Sequence, residues 1–130
     1  NYLVAIWSSS SKKYCEAIAK EIIPVPEKLE FIWSRDRCTR RFDPETQDYF
    51  WIKDLKKVKN KGYDLKRTLI VDDSVEKISR NYGNHIKISP YLGDPKDNKL
   101  LVLQDYLSKF TTVENVRTIE KRNWLNNYKT

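Results

Sequence analysis

Short, unbroken apolar runs recur along this chain and predict buried strands. Residues 3–7 and residues 68–71 are rich in aliphatic and β-branched side chains, a pattern typical of strands buried on both faces of a parallel sheet. Residues 29–33, which alternate in part, and the short run at residues 85–88 predict two further strands. Together these runs indicate a sheet whose strands are mostly parallel.

Apolar positions at helical spacing predict helices between those strands. Tyr14, Ala17, Ile18 and Ile22 predict an amphipathic helix at residues 11–22, which ends before the prolines at positions 24 and 26. The other predicted helices are residues 51–58, 75–82, where Gly83 ends the segment, and 97–110, while residues 113–124 form a last helical or irregular segment that packs Val116, Ile119 and Trp124. Strands alternating with helices predict an α/β fold.

Composition sets the class of protein. A chain of 130 residues predicts one domain, and no apolar run approaches the roughly 18 residues that a membrane span needs. The first apolar run lacks the basic lead of a signal peptide. Cys15 and Cys38 lack metal-type spacing and are expected as reduced thiols in a cytoplasmic protein. His85 is the only histidine, which leaves little for histidine-based catalysis.

The net charge of +7 is compatible with two kinds of surface. It could serve a nucleic-acid or acidic-protein partner, or it could be a solvated basic surface, which the scattered lysines favour. Four tryptophans could stack on bases, but Trp7 lies in a predicted buried strand and Trp51 on the apolar face of a predicted helix. Core packing explains both better, so a nucleic-acid partner is not expected.

Two adjacent carboxylates, Asp72 and Asp73, end the strand at residues 68–71. In open α/β sheets the ligand crevice lies at the carboxyl ends of the strands. Neighbouring carboxylates repel each other, and a hard cation such as Mg²⁺ would compensate them. The alternative is that Asp73 or Ser74 only caps the next helix.

Serines at positions 8–11 separate the first strand from the first helix. Backbone N–H groups and the helix dipole would make this turn an anion site, to which the hydroxyls of Ser8 and Ser9 add donors. The alternative is an ordinary serine cap, which needs only one of the four residues.

The predicted loop at residues 34–48 is polar and carries four arginines. These side chains could receive a phosphorylated substrate through bidentate contacts, or they could be surface charge. They are Arg35, Arg37, Arg40 and Arg41. Lys53, a little further on, does not share the apolar face of Trp51, Leu55 and Val58, and most lysines in that position are solvated.

Three segments occur in an order and spacing that resemble the haloacid dehalogenase superfamily: residues 6–10, residues 51–55 and residues 69–74. The resemblance is strongest to its phosphatases that act on the RNA polymerase II carboxy-terminal domain and to their NLI-interacting-factor-like relatives, and it extends to residue 117. It implies a Rossmann-like, mostly parallel sheet with flanking helices and an Mg²⁺-dependent phosphomonoester hydrolase whose substrate is a phosphoprotein.

The resemblance also implies roles for individual residues. Ser8 corresponds to the motif II hydroxyl that binds the transferring phosphoryl group, and Lys53 corresponds to the motif III lysine that neutralises it. Asp72 corresponds to the motif IV carboxylate on Mg²⁺, and Asp73 falls where eukaryotic relatives often have Asn. Such a set suits phosphoryl transfer, which depends on positioning and on neutralising charge.

One element of the family pattern is absent from these 130 residues, because no Asp-x-Asp occurs anywhere in them. In the family this motif supplies the nucleophile, which forms an aspartyl-phosphate, at the end of a central first strand. Three explanations remain open: this is the C-terminal part of a longer phosphatase whose first central strand is missing here, an inactive member that binds partners, or a chance match. The first is the expectation, and it predicts that this chain alone is inactive.

The sequence Val-Asp-Asp-Ser at residues 71–74 also resembles the acidic pair of response-regulator receiver domains. In those domains a second strand ending in the phosphoacceptor Asp follows well downstream. No such strand is predicted after Asp73, and Gly83 ends the following helix early, so this alternative is disfavoured.

Overall fold

The computed structural model describes residues 2–129, so Asn1 and Thr130 of the predicted domain 1–130 lie outside the described residues. Contacts group the chain into two compact units, the first ending at Asp54 and the second beginning at Leu55. Helices and strands alternate in both, and two of the strand pairs are parallel, which confirms the predicted α/β class. The expectation of a single domain stays a prediction.

The first unit contains a parallel strand pair, one helix and an antiparallel hairpin. Its elements are β1 (Ile6–Trp7), α1 (Lys12–Ile22), β2 (Ile32–Trp33), β3 (Thr39–Asp43) and β4 (Asp48–Ile52). β1 pairs with β2, and β3 pairs with β4. The predicted strands at residues 3–7 and 29–33 therefore exist but are shorter than predicted.

Helix α1 occupies the predicted segment but turns a different face inward. Its buried residues are Cys15 and Ala19, which lie one turn apart. The apolar side chains that predicted the helix are exposed, namely Tyr14, Ile18 and Ile22. Their spacing correctly predicted a helix, but no element within residues 2–129 buries these three side chains.

The hairpin replaces a predicted loop and the start of a predicted helix. Thr39 pairs with Ile52, and the pairing continues to Asp43 opposite Asp48. Residues 49–52 are aromatic or β-branched and fit a pleated surface, and this preference outweighs the helical spacing that began at Trp51. The helix that does form, α2 (Lys56–Asn60), begins after β4 ends.

The second unit contains one parallel strand pair and most of the helical residues. After α2 come β5 (Ile70–Asp72), β6 (His85–Lys87), α3 (Lys99–Ser108) and α4 (Trp124–Lys129). β5 pairs with β6 in parallel. The prediction that β5 is buried on both faces was wrong, since Val71 is 38% exposed.

The segment between β5 and β6 is a 3₁₀ helix, Glu76–Asn84, rather than the predicted helix at residues 75–82. Ile78 and Asn81 have non-helical backbone angles within it. The helix also continues through Gly83, so the expectation that this glycine ends the segment was wrong. Ile78 is fully buried and anchors the segment.

A cluster of buried aromatic and aliphatic side chains forms the core of the second unit. Tyr106 lies at its centre, stacked on Trp124 with ring centres 4.7 Å apart and edge-on to Phe110 at 5.1 Å. Val116 is buried in the cluster, which confirms the predicted packing of Val116 and Trp124. Ile119 is 39% exposed, so its predicted packing was wrong.

The last irregular segment is held by a buried cation. The Lys121 ammonium donates hydrogen bonds to the carbonyl oxygens of Val116 and Ile119, the latter at 2.7 Å. Burial lowers the pKa of Lys121, and the nearby Glu120 carboxylate opposes this shift. The two carbonyls compensate the buried charge and fix the turn that leads into α4.

Both parallel sheets have an open edge within the described residues. Among residues 2–129, β1 has β2 as its only strand partner, and β5 has β6 as its only strand partner. No helix in this range is both long and apolar enough to cross a membrane.

Candidate functional site

The serine turn, residues 8–11, connects β1 to α1. The Ser8 N–H donates to the Trp33 carbonyl at 2.9 Å, and the Ser8 hydroxyl accepts from the Ser10 N–H at 3.1 Å. Ser11 caps α1, because its hydroxyl accepts from the Tyr14 N–H at 3.3 Å. The capping alternative therefore holds for Ser11, while the Ser8 hydroxyl accepts within the turn and donates no hydrogen bond among residues 2–129.

Arg35 is attached to the serine turn through its backbone and its side chain. Its N–H donates to the Ser10 carbonyl at 2.9 Å, and its Nε donates to the Ser9 carbonyl at 2.8 Å. Its guanidinium also lies over the Trp51 ring, 5.7 Å from the ring centre. The structure thus brings together Ser9 and Arg35, two of the predicted substrate-binding residues.

Arg37, the other arginine predicted to contact substrate, takes a different position. Its guanidinium lies over the ring of Trp33, 4.9 Å from the centre. Trp33 is the last residue of β2, and its carbonyl holds the Ser8 N–H. Arg37 is therefore joined to the serine turn through Trp33, whereas Arg35 contacts the turn directly.

Lys53 follows β4 and is buried, with 6% of its surface exposed. A solvated position, usual for lysine, is excluded by this value. The base of the hairpin lies beside the serine turn, because the Cys38 thiol is 4.0 Å from the Ser8 carbonyl and Thr39, the next residue, pairs with Ile52. The fold thus carries Lys53 to the same end of the first unit as Ser8.

In the second unit, Asp72 ends β5 and is held by local hydrogen bonds. Its Oδ1 accepts from the Ser74 N–H at 2.8 Å, and the Ser74 hydroxyl accepts from the Lys77 N–H at 3.3 Å. Ser74 therefore caps the following turn, as the capping alternative supposed. Asp73 is exposed, and no hydrogen bond or ion pair of its carboxylate is found among residues 2–129.

Two polar residues to which the sequence assigned no role hold the two ends of β5, Asn84 before the strand and His85 at its last residue. His85 Nε2 lies 2.8 Å from the Asp72 carbonyl, which can only accept, so we assign the proton to Nε2. The buried Asn84 amide donates to the carbonyls of Leu65 and Thr68. Their place at the start of the apolar run at residues 85–88 is the signal in the sequence that could have pointed to them.

The acidic residues, cysteines and histidine of this chain limit the kind of metal site that it can form. No group of three or more His, Cys, Asp or Glu that could hold a metal occurs within residues 2–129. An all-protein cage, such as a structural zinc site, is therefore not built from these residues. Mg²⁺ needs fewer protein ligands, since it is usually held by one or two carboxylates together with water and substrate phosphate, and Asp72 and Asp73 offer that number.

Comparisons with known proteins show the family of this chain. Residues 1–117 match the family described as NLI interacting factor-like phosphatase. A protein of Dictyostelium discoideum named CTD small phosphatase-like protein 2 is 31% identical over 114 residues, covering 88% of this chain and 18% of the relative. The mitochondrial import inner membrane translocase subunit TIM50 of Candida glabrata is 30% identical over 122 residues, covering 92% of this chain and 23% of the relative. The chain thus spans about a fifth of the length of each of these two curated relatives.

Proposed function

Because the chain belongs to the NLI interacting factor-like phosphatases, we propose that the protein hydrolyses phosphomonoesters in an Mg²⁺-dependent reaction. The fold that we propose is the Rossmann-like sheet of the haloacid dehalogenase type, which the parallel pairing of β1 with β2 and of β5 with β6 supports.

The observation that carries this proposal is the attachment of Arg35 to the serine turn. Two hydrogen bonds fix Arg35 to Ser9 and Ser10, one and two residues after Ser8. The remaining N–H groups of the Arg35 guanidinium make no hydrogen bond within residues 2–129 and can donate to phosphate oxygens. Ser8 would donate to the same phosphoryl group, and Lys53 would neutralise its charge.

Asp72 and Asp73 are the residues that would hold Mg²⁺. The hydrogen bonds from Ser74 to the side chain of Asp72, and from His85 to its backbone carbonyl, hold this residue in place. When bound there, Mg²⁺ would offset negative charge on the phosphoryl oxygens. The Asp73 carboxylate would supply a further oxygen ligand.

In the proposed reaction the nucleophile would come from outside these 130 residues, since they contain no Asp-x-Asp. Its carboxylate oxygen would bond to phosphorus while the bond from phosphorus to the ester oxygen breaks, and the leaving alkoxide would take up a proton. Water would then cleave the acyl phosphate to release inorganic phosphate and restore the carboxylate. Within this chain, the residues bind and neutralise the group that is transferred.

The substrate class that we propose is a protein phosphorylated on serine or threonine, acted on in the cytoplasm. A relative named as a CTD small phosphatase-like protein supports a phosphorylated protein substrate. Cys15 and Cys38 are not joined in a disulfide, which agrees with a reducing compartment.

A second candidate function is a partner-binding role without catalysis. Two observations favour it: the sequence lacks Asp-x-Asp, and one relative is named as a subunit of a protein translocase. This role would use the same surfaces to hold a partner and would need neither metal nor nucleophile.

The two candidates make opposite predictions for phosphatase turnover by the intact protein. We expect the isolated chain of 130 residues to leave p-nitrophenyl phosphate intact, because it lacks the nucleophile. The intact protein, in which an Asp-x-Asp strand accompanies these 130 residues, should hydrolyse p-nitrophenyl phosphate. EDTA should stop this turnover until Mg²⁺ is restored. Release of p-nitrophenol, followed by absorbance, measures both.

Turnover by the isolated chain would show that the nucleophile lies within it and would overturn the assignment of roles. A folded, intact protein without Mg²⁺-dependent turnover would instead favour the partner-binding role.

A further inference from the structure

One face of the β3–β4 hairpin carries a row of arginine and aromatic side chains. Arg40 is paired with Trp51, and Phe42 with Tyr49, so alternation along the strands places all of them on one face. Arg35 joins them by lying over Trp51. The residues of this arginine–aromatic face are Arg35, Arg40, Phe42, Tyr49 and Trp51.

The guanidinium groups on this face are stacked and preorganised. The Arg40 guanidinium lies 4.3 Å from the centre of the Tyr49 ring, and Phe42 packs edge-on to Tyr49 at 5.3 Å. Phe42 and Tyr49 are 51% and 53% exposed, so the outer part of the face is open. A guanidinium stacked on a ring keeps its N–H edge available for carboxylate or phosphate.

The face is also positively charged without acids of its own. Neither Arg35 nor Arg40 forms an ion pair within the part of the chain that the structure describes. Asp43 and Asp48 are paired with each other at the far end of the hairpin, and the alternation places them on the opposite face. Negative groups of a partner would therefore meet unopposed positive charge near the hairpin base.

We infer that this face binds an acidic, extended peptide segment next to the phosphorylated residue of the substrate, an inference that rests on the proposed function. Arg35 connects the two sites, because it is hydrogen-bonded to the serine turn and its guanidinium lies over the Trp51 ring. A peptide whose phosphate lies at the turn would continue past Arg35 towards Arg40. Aspartate or glutamate side chains close to the phosphorylated residue would then accept hydrogen bonds from guanidinium edges.

An acidic peptide fits this face better than single-stranded nucleic acid does. Nucleic acid would bind through bases stacked on open aromatic rings. Here arginines already lie over the rings of Trp51 and Tyr49, and the open donors are the guanidinium edges. Such edges match carboxylates as well as phosphates, so the rings already covered by arginine, rather than the edges, favour the peptide.

The test compares two fluorescein-labelled phosphoserine peptides that differ only in glutamate or glutamine at the flanking positions. Binding to the intact protein is followed by fluorescence anisotropy at low salt, where exposed ion pairs are strongest. We expect the glutamate peptide to bind about fivefold tighter, which is the upper range for one exposed pair. A labelled oligothymidine is measured alongside.

The hairpin offers a matched pair of variants. Arg40→Gln should bring the glutamate-to-glutamine affinity ratio close to one. Arg41→Gln removes the same charge from the same strand but on the opposite face, where Arg41 is paired with Phe50, and it should keep the ratio. Both arginines are exposed, and circular dichroism checks that both variants fold.

Equal binding of the two peptides by the wild-type protein would overturn the inference. An equal loss of the preference for the glutamate peptide in the Arg40→Gln and Arg41→Gln variants would overturn it too. Tighter binding of oligothymidine that Arg40→Gln removes would assign the face to nucleic acid. Turnover of p-nitrophenyl phosphate, which has no flanking peptide, is measured separately. If that turnover is absent while the glutamate preference is present, the proposed hydrolysis fails and the acidic-peptide surface stands.

Discussion

Replacing Lys53 by methionine is expected to lower the kcat/KM of the intact protein for p-nitrophenyl phosphate by about 10²–10³-fold, the range for removing one preorganised group that stabilises transition-state charge. Lys53 is 6% exposed, so its ammonium acts where water screens it little. Methionine keeps a side chain of similar length and removes only the charge, which separates loss of catalysis from loss of packing.

The control for this variant is Lys59→Met, which makes the same change at an exposed lysine of α2. Its kcat/KM should remain within about twofold, because a solvated surface charge contributes little. Steady-state kinetics of both variants, with unfolding curves to verify folding, give the comparison. A folded Lys53→Met protein with wild-type kcat/KM would remove Lys53 from its proposed role.

Replacing Trp124 by alanine is expected to lower the free energy of unfolding by about 3–5 kcal/mol, the usual cost of truncating a large buried aromatic side chain. Trp124 stacks on Tyr106 in the core of the second unit. Its indole N–H also donates to the Lys87 carbonyl at 2.6 Å, which ties α4 to the end of β6.

Trp124→Phe separates these contributions, since it keeps a ring in the core and loses the N–H. We expect it to cost about 1–3 kcal/mol, because the Lys87 carbonyl is left without this donor and some volume is lost. Urea denaturation followed by far-UV circular dichroism measures both variants. Equal costs for alanine and phenylalanine would show that ring packing contributes little.

The elements that could be predicted from sequence are those whose local pattern agrees with the final fold. The apolar runs that became β1, β2, β5 and β6 were recognisable because each lies between polar turns. The lengths and burial of these strands could not be predicted, since an apolar side chain such as Val71 is exposed when no neighbouring element covers it.

The hairpin was missed because two local signals compete between residues 49 and 58. Trp51, Leu55 and Val58 have helical spacing, while residues 49–52 prefer a strand. The outcome depends on pairing with residues 39–43, a preceding segment that reads as a polar loop because of its two arginines. Local periodicity carries no information about such a partner.

The candidate site, too, could be predicted from the sequence only in part. Ser8, Lys53 and Asp72 were named from family resemblance, and the structure adds the burial of Lys53, which no local pattern indicated. The bond between Arg35 and Ser9 joins residues 26 positions apart and depends on the folded turn. It was open in the sequence whether Arg35 was a surface charge or a ligand-binding residue.

The measurement that tests the central claim most directly is a crystal structure of the intact protein with Mg²⁺ and a phosphate analogue such as tungstate. The predicted result is that Ser8 Oγ and Lys53 Nζ both lie within hydrogen-bonding distance of the analogue, while an Asp72 oxygen coordinates the metal beside it. A bound analogue that Ser8 and Lys53 do not contact, or a metal held without Asp72, would contradict the account.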